Sequence, residues 1–307
     1  MKKIAVVVPS YEDNNFLIQC MRTLWEFMGE IEYEIVIVDN ASKKPDVVLL
    51  LDELETNKNV LVVRNRANLG FARAVNQGIA VLNKTSIDFD FFLVLNQDSS
   101  LMDLTIHAAL DLMDQNQGIG LCGPRLYNSD GTIQNSFYSF PSPVKILAQL
   151  AGMKKLNPLF RKGSLFSAPF FLPSFAANYL SNYKESMEPI EVPWITGACL
   201  LIRKKVLDSI LGFDENIWMY AEDMDFCFRV RKMGWAIVYC PDWHVYHHGW
   251  KPVSLLSKEL LKAYYDSLNY FYSKHFHGVK KKCMLFLNKL EKTKALKSRR
   301  RAGGHDI

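Results

Sequence analysis

An open α/β fold, built on a parallel sheet with helices on both faces, is the architecture this sequence predicts. Three observations carry it. Short, unbroken apolar runs alternate with helical patterns through the first 125 residues. Polar clusters follow at least two of those runs. About half of the 307 residues (49%) are hydrophobic, enough for a sizeable core and against global disorder.

Ile4–Val8 is a continuous apolar, mostly β-branched run, the signature of a strand buried on both faces. Asp13 is placed to cap a helix running through Phe27. Glu34–Val38 reads as a second buried strand, 47–54 as a helix, and Val60–Val63 as a third strand. Phe71–Leu82 has helical spacing. Phe89–Leu95 is another apolar strand, followed by helix Thr105–Gln115 and strand Ile119–Cys122. Such alternation implies right-handed crossovers, with ligands at the carboxyl ends of the strands. Residues 135–192 lose periodicity and are rich in Phe, Pro, Ser and Lys; they read as a partly helical excursion on the acceptor or membrane side. Trp194–Arg203 reads as one strand, Lys204–Leu211 and Glu222–Met233 as helices, and Ala236–Tyr239 as a strand. Leu255–His275 predicts a helix with the stripe Tyr264, Leu268 and Tyr272. The division expected is a catalytic domain over 1–250, with halves 1–125 and 126–250, and a helical, basic extension over 251–307.

The net charge of +5 is uneven. Residues 280–307 hold ten Lys/Arg against Glu291 and Asp306, leaving 27 basic against 30 acidic residues elsewhere. A body without basic excess argues against a nucleic-acid partner. A basic segment around Met284–Leu287 suits the anionic inner face of a plasma membrane, with a solvated tail as the alternative. The six cysteines contain no CxxC pair, which disfavours thiolate metal sites and a disulfide framework and fits a cytoplasmic protein. The first apolar run is too short for a signal-peptide core, and no run reaches the length of a spanning helix; the apolar stretch 165–180 is broken by Pro169 and Pro173.

Five clusters could carry chemistry. Asp39-Asn40 follows a strand; it could accept from a base or ribose, or serve as a turn cap. Asn68, Gly70 and Arg73 lead a helix whose free amide hydrogens suit a diphosphate, unless it is an ordinary capped helix. Asn96-Gln97-Asp98 ends an apolar strand, and Asp98 could bind Mg²⁺ or Mn²⁺ through oxygen. Glu222, Asp223 and Asp225 crowd a helix start; Asp223 or Glu222 could act as general base, the like charges raising one proton affinity. Among His244, His247 and His248, one imidazole could add a second ligand to the Asp98 metal.

In order along the chain, these pieces resemble family 2 inverting glycosyltransferases of the GT-A fold, nearest their rhamnosyltransferase-like subgroup. The resemblance covers roughly residues 3–250. It is carried by Ile4–Tyr11, Val36–Asn40, Asn68–Ala72 with Asn76-Gln77-Gly78, Leu95–Asp98, Thr196–Arg203, Gly212–Glu215, Tyr220–Phe226 and Val245–Gly249. It implies a GT-A (Rossmann-like) mixed, mostly parallel sheet flanked by helices, with a helical C-terminal extension. It further implies transfer of a sugar, rhamnose from dTDP-rhamnose first and a UDP-hexose second. The acceptor would be a glycan or lipid-linked molecule of a bacterial cell surface. Pro9, Ser10, Tyr11 and Asp39 would line the nucleoside pocket, with Asn40 beside them. Asn68, Gly70 and Arg73 would lie near base or diphosphate. Asp98 and His247 would hold a divalent cation, Asp223 would be the base with Glu222 as fallback, and Trp194 and Gly197 would shape the acceptor side. The sequence departs from the family's acid-rich metal motif at Asn96 and Gln97, so the cation is expected to bind mainly together with donor. Two rivals stand. A nucleotidyltransferase would want a Gly-rich basic loop where Pro9–Asn14 is acidic and Gly-free. A non-catalytic sugar- or lipid-binding homologue is the other.

Overall fold

The computed structural model describes residues 2–150, 186–249 and 253–301. The stretch 165–180 and most of the predicted excursion fall outside the described residues, as does the tail beyond 301. Two compact units form, one from 2–138 with 186–249, the other from 139–150 with 253–301.

The first unit begins β1 (Lys3–Ser10), α1 (Asn14–Phe27), β2 (Glu32–Asp39), α2 (Pro45–Glu55), β3 (Val60–Arg64), α3 (Phe71–Leu82) and β4 (Phe91–Leu95). It continues with β5 (Ser99–Leu101), α4 (Ile106–Gln115), β6 (Ile119–Tyr127), β7 (Ile133–Gln134) and β8 (Phe137–Tyr138). Helix α5 (Pro143–Leu150) belongs to the second unit. The chain then re-enters the first unit as β9 (Ile190–Glu191), β10 (Trp194–Ile195), β11 (Cys199–Arg203), α6 (Lys204–Ile210), α7 (Glu222–Lys232) and β12 (Ala236–His247).

The main sheet runs β3-β2-β1-β4-β11-β6-β12-β5. Strands β3, β2, β1 and β4 are parallel neighbours, and β6 is parallel to β12. The mixed character enters with β11, antiparallel to both β4 and β6, and with β5, antiparallel to β12. In β1, alternate residues serve opposite cores: Ile4, Val6 and Val8 pack with Leu17, Met21 and Leu24 of α1, while Ala5 and Val7 pack with Val75 and Ile79 of α3. All five are fully buried, which is why their run is unbroken. Each such Val or Ile contributes roughly 1.5–3 kcal/mol on burial. Asp13 caps α1 by accepting the Phe16 amide hydrogen at 3.1 Å.

Two expected strands differ in extent. The single strand expected over 194–203 is broken at Thr196–Ala198, because those backbone groups bond elsewhere: the Thr196 amide donates to the Ser136 carbonyl and the Gly197 amide to Asp223. The strand expected to stop at Tyr239 continues to His247. A register shift between Cys240 and His244 absorbs Pro241 and Asp242, so the proline never has to supply a ladder hydrogen bond.

In the second unit, α8 (Lys258–His275) and α9 (Gly278–Arg301) pack together. Ser257 caps α8 by accepting from the Leu260 amide. The stripe buries Leu268 and Tyr272, with Tyr264 half-buried. From α9, Met284, Leu287 and Asn288 are buried, and the Asn288 amide donates to the Tyr265 carbonyl at 2.9 Å and to Asn269 at 2.8 Å. Among the described residues no helix is long and apolar enough to cross a membrane.

Candidate active site

The predicted site residues converge on one edge of the main sheet, the carboxyl ends of its parallel strands. Ser10 ends β1 in register with Asp39 at the end of β2. Asn96-Gln97-Asp98 follows β4, and His247 ends β12 opposite Ser99 of β5. The antiparallel β11 starts at this same edge, Cys199 facing Leu95, so Gly197 and Ala198 lie here too. The Asn96 amide donates to the Ala198 carbonyl at 3.0 Å, stitching the turn after β4 to the approach to β11.

The Glu-Asp pair is placed by strained backbone. Tyr220 and Ala221 both adopt φ of 64° immediately before α7, a left-handed conformation that costs non-glycine residues about 1–2 kcal/mol each. Asp223 then accepts the Gly197 amide at 2.9 Å on Oδ2 and the Met224 amide at 2.7 Å on Oδ1. Burial raises its carboxyl, and hydrogen bonds from Gly197, Met224 and the Thr196 side chain oppose that rise without cancelling it. Glu222 is 8% exposed, and its Oε2 is buried with no hydrogen-bond partner. Burial first, and then the neighbouring Asp223 charge, raise it to about 8. Both carboxyls are thus raised, but their surroundings differ: Asp223 accepts two backbone amides, whereas Glu222 Oε2 has no donor and is suited to keep its proton. Tyr138 of β8 stacks on Trp194 at 4.9 Å, and burial together with the Asp223 charge pushes its phenol up to about 12.

Asp98 and His247 meet directly, Oδ1 lying 3.4 Å from Nε2. Asp98 Oδ1 and Asn96 Oδ1 are both buried without a hydrogen-bond partner. The Asp98 carboxylate is pressed against Gly249, where any Cβ would collide with Oδ2, and its carbonyl accepts the His248 amide at 2.8 Å. One carboxylate oxygen and one imidazole nitrogen fit the hard-to-borderline preference of Mg²⁺ or Mn²⁺, and they leave most coordination positions for other oxygens. Among the described residues no group of three or more His, Cys, Asp or Glu is arranged for a metal. Asp98 and His247 are the pair of candidate donors that the structure brings together.

The other predicted residues are engaged mainly with the protein itself. The Gln97 amide brackets Tyr11, its Oε1 accepting the Tyr11 amide at 3.0 Å and its Nε2 donating to the Tyr11 carbonyl at 2.8 Å; Oε1 also accepts from Ser10 Oγ. That fixes the Tyr11 backbone and leaves its ring 46% exposed. Asp39 is buried and accepts from the Ser42 amide and hydroxyl. Asn40 bridges to Asn65 and, at 3.4 Å, to the Gly70 carbonyl. The helix start near Asn68 differs in part from expectation, since the amides of Gly70 and Phe71 are not free. The Gly70 amide donates to Asn68 Oδ1 and the Phe71 amide to the Trp218 carbonyl at 3.1 Å. Gly70, with φ of 85°, is the residue that lets Trp218 come this close, because a Cβ there would strike the Trp218 carbonyl. Arg73 extends from this helix to Glu215 at 3.4 Å, and Pro9, near the end of β1, is partly exposed.

Sequence reasoning missed Gln134, Trp218 and Tyr138. Gln134 is buried on β7 with its Nε2 3.1 Å from His247 Nδ1. Nothing local marks it, because the pair is 113 residues apart.

This combination, a parallel α/β half joined through an antiparallel strand to a half bearing Glu222 and Asp223, is that of a sugar-transferring enzyme. A family model described as Glycosyl transferase family 2 matches residues 5–211, and the chain belongs to that family. It is 31% identical over 227 residues to the N-acetylglucosaminyl-diphospho-decaprenol L-rhamnosyltransferase of Mycobacterium tuberculosis, covering 68% of each chain. It is 23% identical to the O-antigen biosynthesis protein RfbC of Myxococcus xanthus, covering 80% of this chain and 17% of that one. Among solved structures, S. aureus TarS superposes with a TM-score of 0.54 at 15% identity over 93% of this chain and 42% of TarS. A shorter TarS structure, residues 1–349 in complex with UDP, also gives 0.54, at 14% identity over 93% of this chain and 70% of that one. These likenesses establish the GT-A-type fold.

Proposed function

We propose that this glycosyltransferase moves rhamnose from dTDP-rhamnose to a glycan or lipid-linked acceptor, with inversion, in bacterial cell-surface polysaccharide synthesis. The observation that carries it is the contrast within the Glu-Asp pair: Asp223 accepts two backbone amides while Glu222 is suited to keep its proton. Asp223 removes the proton from the acceptor hydroxyl as its oxygen attacks the anomeric carbon, and the nucleoside diphosphate leaves from the opposite face. Trp194, with Tyr138 stacked on it, and Gly197 border the acceptor. The exposed Tyr11 ring, held by Gln97 with Pro9 and Ser10, offers a stacking surface for the base, and Asp39 and Asn40 form the wall behind it. Arg73 faces the diphosphate from α3. A divalent cation held by Asp98 and His247, with donor phosphates completing its shell, would neutralise charge on the leaving group. The Mycobacterium relative's name supports rhamnose. The UDP-bound TarS neighbour supports a UDP-hexose as second reading.

A donor panel tests this. Release of dTDP from dTDP-rhamnose, abolished by chelator and by Asp223→Asn, is the expected result. Turnover only with UDP-sugars replaces the donor, pyrophosphate release indicates a nucleotidyltransferase, and silence across the panel leaves the non-catalytic binder. Product NMR at the anomeric centre reads inversion.

The same proposal gives residues 1–250 the catalytic role and 251–307 a supporting one, in a cytoplasmic protein held peripherally at the inner face of the plasma membrane. On α9, Val279, Phe286 and Leu290 are exposed, at 84%, 60% and 41%, and share a helical face with exposed Lys282, Lys289 and Lys297. Lysines around an apolar stripe suit an anionic leaflet, at about 1 kcal/mol per basic residue. Met284 and Leu287, expected to contact lipid, are instead buried within the second unit. Sedimentation with phosphatidylglycerol vesicles should fall at least tenfold for Phe286→Ser with Leu290→Ser; unchanged binding removes the membrane contact.

A further inference from the structure

We propose that Gln134 is a positioning residue for His247, its amide holding the imidazole through both of the ring's neutral tautomers so that Nε2 can turn from Asp98 to a cation. This rests on the cation reading given above.

The placement is built by three strands. Gln134 of β7 pairs with Leu126 of β6, and Leu126 pairs with Val245 of β12, two residues before His247. Gln134 is 3% exposed and His247 is 9% exposed, so the contact is shielded from water. The amide nitrogen lies 3.1 Å from His247 Nδ1. The amide's other end, Oε1, is buried with no hydrogen-bond partner. An amide half-unsatisfied in a dry site is costly, and a leucine or methionine would fill the same space without that penalty. What an amide offers that an apolar residue does not is a partner for Nδ1.

The chemistry requires that partner to change character. With the Gln134 amide N–H toward Nδ1, that nitrogen must accept, and a neutral ring then carries its proton on Nε2, 3.4 Å from Asp98 Oδ1. With a cation on Nε2, the proton must sit on Nδ1, and its partner must accept. Rotating the Gln134 amide by half a turn exchanges Nε2 for Oε1 in nearly the same volume. Glutamine serves both tautomers. A carboxylate here serves only the loaded one. Oriented imidazoles of this kind owe roughly 10–100-fold of metal affinity to such partners.

The test is a Mn²⁺ titration of the full chain, followed by electron paramagnetic resonance, with and without saturating dTDP. Wild type, Gln134→Leu and Gln134→Glu are compared, with thermal melts as the fold control. Gln134→Leu is expected to bind Mn²⁺ at least tenfold more weakly at an unchanged melting temperature. Gln134→Glu is expected to bind at least as tightly as wild type, and it keeps the test decisive if the leucine variant does not fold. In Mg²⁺- and dTDP-loaded wild type, long-range ¹H–¹⁵N correlation should show the His247 proton on Nδ1. Wild-type Mn²⁺ affinity in folded Gln134→Leu, tenfold weaker binding in Gln134→Glu, or a loaded ring protonated on Nε2 each overturns the role. Failure of wild type itself to take up Mn²⁺ overturns the cation reading and this role with it, and is distinguishable because it precedes any substitution.

Discussion

The backbone amide of Gly197 donates to Asp223 Oδ2 at 2.9 Å, tying the approach to β11 to the first turn of α7. The bond sets which face of the carboxylate is spent on the protein.

Asp223→Asn keeps the shape but can accept from only one of Gly197 and Met224. Turnover should fall about 10²–10⁴-fold, the usual worth of a general base. Stability should fall by about 1–3 kcal/mol for the amide left unpaired. Single-turnover kinetics and urea melts read the two effects separately. Full turnover by the folded variant removes Asp223 as base.

Glu222 gives a pH signature. Its folded value, about 8, lies above its ordinary 4.5. The stability it contributes is therefore fully present below about 4.5 and is lost as pH rises through about 8. Glu222→Gln mimics the protonated form, so the variant should gain on wild type in melting temperature between pH 5 and pH 9. Parallel pH profiles for the two proteins would contradict a raised Glu222.

Gly249→Ala places a methyl against Asp98 Oδ2 and must displace that carboxylate. Turnover should drop at least tenfold, about 1.4 kcal/mol in barrier, with the fold intact by circular dichroism. Unchanged turnover at limiting Mg²⁺ would detach Asp98 from the chemistry.

Gln97→Glu loses the only donor to the Tyr11 carbonyl among the described contacts and sets a carboxylate against that oxygen. Donor KM should rise about 5–30-fold, the equivalent of about 1–2 kcal/mol, with a smaller change in kcat. A kcat effect alone would mean that Tyr11 does not hold the base.

Asp225 is fully buried and pairs with Arg229 at 2.8 Å, whose guanidinium also donates to the carbonyls of Ile210 and Gly212. Asp225→Ala leaves that cation without its counter-charge and should cost about 3–5 kcal/mol in urea unfolding.

Much of this was legible in the residues themselves. The helix Phe71–Leu82 could be bounded from sequence because its apolar face is complete and a glycine precedes it. Strand β12 was visible only to Tyr239, since Pro241 and Asp242 interrupt the apolar run at the bulge. Strand β5 has two polar residues among its three and no periodicity to read. Asp98 and His247 could be paired only through resemblance. The occupation of the Phe71 amide by Trp218 and the seating of His247 by Gln134 are contacts between distant segments, and no local pattern encodes either.

The position of β11 between β4 and β6 governs how the chain must be made. Cys199–Arg203 completes the ladder on Phe91–Leu95, yet it emerges from the ribosome long after it. During that interval an entirely apolar strand waits with one side unzipped, an open invitation to pair with a neighbouring nascent chain. Slower synthesis between those two strands, or more chaperone, is therefore expected to change yield in a heterologous host without changing the stability of the finished enzyme.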